Sequence, residues 1–229
     1  MFYLTGDTHG SFERIYEFCY QFKTTNEDVM IILGDAGINY YEGKREEELK
    51  RMLDDFPITF FCIHGNHEQR PYAIPGYHEE TWNGGTVYVE KKYPTILFAK
   101  DGEVYDFDGN SAIVIGGAYS VDKFYRLSRH YAWFDNEQPS DEIKNNVMKK
   151  LDEIGWNVDL VLTHTTPLKY EPVEVFLSMI DQSTVDKSTE QWLNEIEHNL
   201  SYKKWYCGHY HTKKKIDKLQ IMFEDYDQI

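Results

Sequence analysis

Eight side chains with the chemistry of a metal site stand just past the ends of short apolar runs. The runs finish in "GDTHG", "GDAGIN", "GNHE", "THTTP" and "GHYH", which deliver Asp7, His9, Asp35, Asn66, His67, His164, His209 and His211. Aspartate and asparagine offer hard oxygen, and neutral imidazole offers nitrogen. No thiolate is needed, so the donor set suits Mn, Fe, Zn, Co or Ni rather than a cysteine-bound structural zinc. Seven of these side chains as ligands exceed what one tetrahedral ion takes, whereas two ions sharing a carboxylate would use them all. Taken singly, each motif has an ordinary explanation: Asp7 as a helix cap, Asn66 as a turn residue, His164 as a satisfied strand-end histidine. Five motifs at corresponding places are harder to explain that way.

Elements that could bring them together are legible in the periodicity. "MFYLTGD", "DVMIILGD" and "PITFFCIHGNHE" read as strands, separated by helical patterns at "SFERIYEFCYQF" and "KREEELKRMLDD". The first helix should present Phe12, Ile15, Tyr16, Cys19 and Phe22 on one face. This β-α-β-α-β order argues for an α/β core, in which residues at the carboxyl ends of strands meet in one crevice. "EVYDFDGNSAIVIGG" reads as a hairpin about Asp108-Gly109, which makes the sheet mixed. Helices follow at 140–155 and 187–200, strands at "DLVLTHTTP" and "KWYCGHYH", and a final hairpin at "KKKIDKLQIMFED". Irregular loops are expected at 68–95, 117–139 and 165–186, long enough to contact a substrate.

Composition narrows the function. A length of 229 residues with 41% hydrophobic content suits one domain with a full core. The formal charge of −15 argues against an extended nucleic-acid grip, although a site that imports its own cations could bind phosphate. Cys19, Cys62 and Cys207 lie in apolar runs, too few and too scattered for a disulfide framework, and read as reduced and buried. With neither a leader nor an apolar run of membrane-spanning length, the chain is expected to be soluble and cytoplasmic.

The ordered set D-x-H, G-D, G-N-H-E, H and G-H-x-H, running from residue 7 to 211, resembles the calcineurin-like metallophosphoesterase superfamily. That resemblance implies a four-layer α-β-β-α sandwich of two mixed sheets over residues 1–229. It implies that Asp7, His9 and His211 bind one metal, that Asn66, His164 and His209 bind the other, and that Asp35 bridges them. His67 then matches the family's catalytic histidine, acting as general acid or charge stabiliser without holding metal. The expected reaction is hydrolysis of a small phosphate mono- or diester by a metal-bridging hydroxide, with two divalent ions, manganese first among them, clamping the attacking and leaving oxygens. By simple charge counting, two such ions less the charges of Asp7 and Asp35 leave about +2 at the site, a local reversal of the acidic surface.

One departure bears on substrate. Protein phosphatases of the superfamily continue into G-D-x-x-D-R-G, and Ile38 and Asn39 stand where the second Asp and the Arg belong. This weakens a protein-phosphatase assignment and leaves His67 without its usual carboxylate partner. Arg70, Arg126 and Arg129 are candidates for the missing phosphate contact, Arg70 foremost because it is three residues from His67. Aromatic side chains in the long loops, Tyr72, Tyr77, Trp82, Tyr119, Tyr125, Tyr131 and Trp133, either stack on a flat leaving group or pack the loops onto the sheet. His64 reads as a strand-end residue behind the ligands. The competing readings are a serine/threonine protein phosphatase and an inactive metal-binding scaffold for protein partners, and the presence of all eight residues speaks against the latter.

Overall fold

The computed structural model describes residues 1–229. Its amino-terminal half contains β1 (Phe2–Thr5), α1 (Glu13–Phe22), β2 (Val29–Ile32), α2 (Lys44–Asp54), β3 (Thr59–Cys62), β4 (Tyr77–Trp82), β5 (Gly85–Glu90) and β6 (Tyr93–Ala99). Then come β7 (Val104–Phe107), β8 (Asn110–Ile115), α3 (Lys123–Arg129), α4 (Asp141–Glu153), β9 (Leu160–Thr163) and α5 (Ser188–Asn199). The chain closes with β10 (Lys204–Cys207), β11 (Lys214–Ile216), β12 (Leu219–Ile221) and β13 (Asp227–Gln228).

Side chains alternate across a strand, so one run of apolar residues can serve two cores. In β2, Val29 and Ile31 join Phe2, Leu4, Phe61, Val114, Leu162 and Tyr206 in a layer between two sheets. Met30 and Ile32 point the other way, against Ile15 and Phe18 of α1 and Leu53 of α2. Across the molecule, Ile113, Val161 and Trp205 pack on Val147 and Leu151 of α4 and on Trp192 and Ile196 of α5. The architecture is therefore helix, sheet, sheet, helix.

The first sheet has the order β13-β1-β2-β3-β6-β5-β4, and the second β11-β12-β10-β9-β8-β7. Both are mixed: β1, β2, β3 and β6 run parallel in one, and β8, β9, β10 and β12 in the other. The hairpins about Asp108-Gly109 and Asp217 form as expected. No helix is long and apolar enough to cross a membrane.

Three readings of the sequence need correction. On α1 the buried face is Ile15, Phe18 and Cys19 with Phe12 before it, while Tyr16 and Phe22 are exposed, because the sheet lies under the 12/15/18/19 stripe. The segment 68–95 is not irregular, since it holds the paired strands β4 and β5 and leads into β6. The segment 117–139 carries the helix α3, and 165–186 is a series of 3-10 turns. Tyr77 and Trp82 do pack on the core. All three cysteines are buried and free.

Candidate metal centre

Parallel strands expose their carboxyl ends along one edge, and here two sheets do so side by side. From the first sheet, β1 leads into Asp7 and His9, β2 into Asp35, and β3 into Asn66 and His67; from the second, β9 leads into His164 and β10 into His209 and His211. Hydrogen bonds run within each group and between the two. The Gly208 N–H donates to the His164 carbonyl (2.9 Å) and the His209 N–H to Asp7 Oδ1 (2.8 Å). His164 Nδ1 lies 2.8 Å from the Leu33 carbonyl, and the His67 N–H donates to Asp35 Oδ1 (2.8 Å).

This arrangement strains the backbone. His9 (φ 48°), Asp35 (48°), His209 (70°) and His211 (48°) all adopt the left-handed conformation, at a cost on the order of 1–3 kcal/mol each. Glycine is required beside them for space: a Cβ on Gly208 would lie 2.3 Å from Asp7 Oδ1, and one on Gly34 2.0 Å from His164 Nδ1. Strain of this kind concentrates at functional sites, where the fold over-determines it.

The donors face one another. A carbonyl can only accept, so His164 must carry its proton on Nδ1, toward Leu33, which leaves the Nε2 lone pair bare. That lone pair faces Asn66 Oδ1 at 2.8 Å, and the Asn66 amide is oriented by the bond from its Nδ2 to Ser120 Oγ (2.9 Å). His9 Nε2 and His211 Nε2 likewise face each other at 2.8 Å. Asp7 Oδ2 is buried without a hydrogen-bond partner, 3.3 Å from His211 Nε2 and 3.7 Å from His9 Nε2. Asp35 stands between the groups, Oδ1 3.7 Å from His164 Nε2 and Oδ2 3.8 Å from His9 Nε2. Acceptors turned on acceptors repel unless a cation or a proton lies between them, and these oxygens and nitrogens fit hard divalent ions.

Protonation favours cations over protons at several of these positions. Burial drives the His209 imidazole down to about 3, so it stays neutral at physiological pH. Burial likewise lowers His9. For Asp35 burial opposes the charge, but His164, His67 and His9 outweigh it and hold the carboxyl well below its usual range. Asp7 is also held low: burial opposes its charge, and the neighbouring imidazoles of His211, His164 and His9 together outweigh it. His64 is buried with both ring nitrogens unpartnered and stays outside the cluster of candidate ligands.

His67 has a surround of its own. Nε2 is 3.4 Å from Asp122 Oδ1, and Nδ1 is 3.6 Å from Asp35 Oδ2 and 3.0 Å from Arg126 Nη2. Burial works against the imidazolium, and the two carboxylates outweigh it, so the His67 pKa is raised. The Arg126 contact belongs to the neutral ring, because two N–H donors cannot share it; protonation at Nδ1 must release the guanidinium. Arg126 is otherwise fixed by Asp122 Oδ2 (2.7 Å) and the Ala132 carbonyl (3.1 Å).

The other two arginines are not brought to the centre. Arg70 is buried, with its guanidinium bound to Asp101 and to the Asn136 carbonyl, so it is structural. Arg129 is exposed at the end of α3, over the ring of Tyr125. Ile38 lies in the core between the first sheet and its helices and offers no carboxylate. Asp122 occupies that role spatially, a residue the sequence reading passed over. The available signal was its i,i+4 spacing from Arg126 in "DKFYR", which puts both on one helical face.

Glu190 was also missed. It is buried beside the centre, with Oε1 accepting from Thr165 Oγ1 (2.8 Å), and burial pushes its pKa up to about 7. An acid whose folded pKa lies above its unfolded value of 4.5 contributes stability below pH 4.5 that is lost as pH rises through about 7. That loss amounts to about 3 kcal/mol at ~1.4 kcal/mol per pKa unit. Urea unfolding at pH 5 and pH 8 should show wild type losing more stability over this interval than Glu190→Gln. Identical losses in the two proteins would disprove the assignment.

Two packed mixed sheets with carboxylates and imidazoles gathered at their strand ends define a layered α/β protein with a candidate metal centre. The chain belongs to the calcineurin-like phosphoesterase family, whose model matches residues 1–225. No curated protein matches it. Among solved structures it is similar to the phosphopantetheinyl hydrolase from Mycobacterium tuberculosis, with a TM-score of 0.50 and 13% identity over 97% of this chain and 87% of that one. A protein of unknown function from Aquifex aeolicus gives a TM-score of 0.36 and 14% identity over 72% of this chain and 80% of its own. At such identities the likeness to the hydrolase is one of fold.

Proposed function

We propose that the chain, as a single domain over residues 1–229, hydrolyses small phosphate mono- or diesters in the cytoplasm with two divalent cations, manganese first among the candidates. Family membership makes it a phosphoesterase. The observation that carries the cation-dependent reading is the bare His164 Nε2 lone pair facing Asn66 Oδ1, with the His9 and His211 Nε2 atoms drawn together at 2.8 Å beside the buried and unpartnered Asp7 Oδ2. Reduced, buried cysteines support a reducing compartment.

In this reading Asp7, His9 and His211 hold one cation, Asn66, His164 and His209 hold the other, and Asp35 serves both. When bound, the pair supplies Lewis acidity, polarising phosphoryl oxygens and making water nucleophilic near neutral pH. The chain's own groups do the rest. His67 delivers a proton to the oxygen that leaves as the P–O bond breaks, and Asp122 holds the ring for that task. Arg126, released from Nδ1 when the ring is protonated, turns its fork to the phosphoryl oxygens. Ordered donors aimed at developing charge need little reorganisation during the reaction.

The test uses metal-stripped protein with p-nitrophenyl phosphate, bis(p-nitrophenyl) phosphate and a phosphoserine peptide, each with Mn, Ni, Zn or Mg restored. Turnover should return on a small ester as two ions per chain are bound, and the peptide should be the poorest substrate, because Ile38 and Asn39 replace the protein-phosphatase dyad. Full activity without metal would refute the reading, and peptide turnover as fast as the small esters would refute its substrate class.

A further inference from the structure

The centre opens into a cavity of about 420 Å³ whose lining changes character along its length. At one end are Asp35, Asn66, His67, His209 and His211. Elsewhere the wall is mostly apolar, built by Val175, Phe176, Leu177, Ile180 and Val185 from the 3-10 segment, with Tyr210 stacked on Phe176 at 6.1 Å. A phosphoryl group occupies the space of about two or three waters, at ~30 Å³ each, so most of the cavity is left for whatever the phosphate is attached to.

One polar group away from His67 is unspent. Glu190 lines the cavity and is 4% exposed, and while Oε1 is engaged by Thr165, Oε2 is buried with no hydrogen-bond partner. Buried polar atoms are almost always satisfied, and an orphan in a pocket calls for a partner from outside. The neighbouring carboxylate, Glu171, is already paired with Lys187 at 2.8 Å, so it neither needs nor attracts a second cation. Tyr210 Oη lies 3.1 Å from Thr165 Oγ1, which ties the aromatic wall to the same network.

We propose that this cavity is the leaving-group site and takes a branched or ring-shaped apolar group that carries a neutral amide or hydroxyl, bound by Glu190 Oε2. The proposal rests on the phosphoesterase reading and adds the class of alcohol released. A neutral partner suits a buried carboxyl with one unengaged oxygen, which burial keeps protonated to higher pH than an exposed one, since the protonated group donates to an amide or hydroxyl oxygen. The apolar wall selects for carbon, at about fourfold in binding per buried methylene.

The experiment compares kcat/KM on the manganese-loaded enzyme for phosphoesters of three alcohols of similar acidity, methanol, isobutanol and the N-hydroxypropyl amide of isobutyric acid, and of the more acidic choline, with p-nitrophenyl phosphate as a control for turnover. Isobutyl should exceed methyl by ~10-fold or more, from its three extra carbons, and the amide ester should exceed isobutyl. Phe176→Ala should collapse the isobutyl-to-methyl ratio, and Glu190→Leu the amide-to-isobutyl ratio. Because Glu190→Leu removes the acceptor that Thr165 Oγ1 donates to and could unfold, the Phe176 variant stands as an independent arm. A second readout needs no metal: the free amide alcohol should shift the ring resonances of Phe176 and Tyr210 in the stripped protein. Equal rates for methyl, isobutyl and amide esters, a choline ester as the best substrate, or ratios unmoved by both variants would overturn the proposal while leaving the phosphoesterase intact. Absence of turnover on every ester, the nitrophenyl control included, would overturn the phosphoesterase reading and the site with it.

Discussion

Asp35→Asn should reduce turnover about 10³-fold or more and lower the metal content of both positions together. Asp35 lies within reach of donors from both groups, with Oδ1 toward His164 and Oδ2 toward His9 and His67. It is 2% exposed and ionised against the pull of burial, because three imidazoles surround it. The amide keeps the shape, removes the charge and turns an N–H donor on neighbours that offer lone pairs or further N–H groups. Lewis-acid stabilisation is worth several kcal/mol, and about 4 kcal/mol corresponds to roughly 10³ in rate. Metal analysis beside kcat tests this: a variant that keeps two ions and full activity would show that nothing depends on sharing this carboxylate. Asp7→Asn is the comparison, expected to empty one position and spare the other, with thermal unfolding as the check that both variants fold.

The cluster of candidate ligands was legible because each of its members follows a buried strand, and strand ends are the most regular feature of a layered α/β chain. The two sheets were not legible from periodicity. Val29 to Ile32 and Thr59 to Cys62 read as continuous apolar runs, and only packing reveals that alternate side chains serve different cores. The β4-β5 hairpin was readable and was missed: Asn83-Gly84, with φ of 45° and 85°, is a tight-turn dipeptide, but the polar "YHEETW" obscured the strand before it. Arginine placement failed for another reason. Arg70 is nearest to His67 in sequence, yet its backbone turns away after β3 and Asp101 captures the side chain, whereas Arg126 arrives from a helix 59 residues on. Proximity along a chain decides contacts within one turn, and beyond that the fold decides.

His67→Ala should leave the metal content intact and lower kcat by ~10² to 10⁴, the usual contribution of a positioned acid or base. The ring sits 3.6 Å from Asp35 but faces Asp122 and Arg126 on its other contacts, so its removal takes nothing from the facing pairs His164–Asn66 and His9–His211. Its proton is held by two carboxylates acting against burial. Cations bound at Asp35 would cancel that carboxylate's share, leaving Asp122 as the group that keeps the imidazolium. Asp122→Asn should therefore lower the pH at which the basic limb of the kcat profile falls, while His67→Ala should abolish that limb. If His67 donates to the leaving oxygen, the alanine variant's defect should shrink for nitrophenolate, which leaves without help, and grow for an alkyl alcohol, which cannot. Loss of metal in the variant would make His67 a ligand and displace Asn66 from that role. Unchanged turnover of alkyl esters with both ions in place would reduce His67 to a structural residue between Asp35 and Asp122.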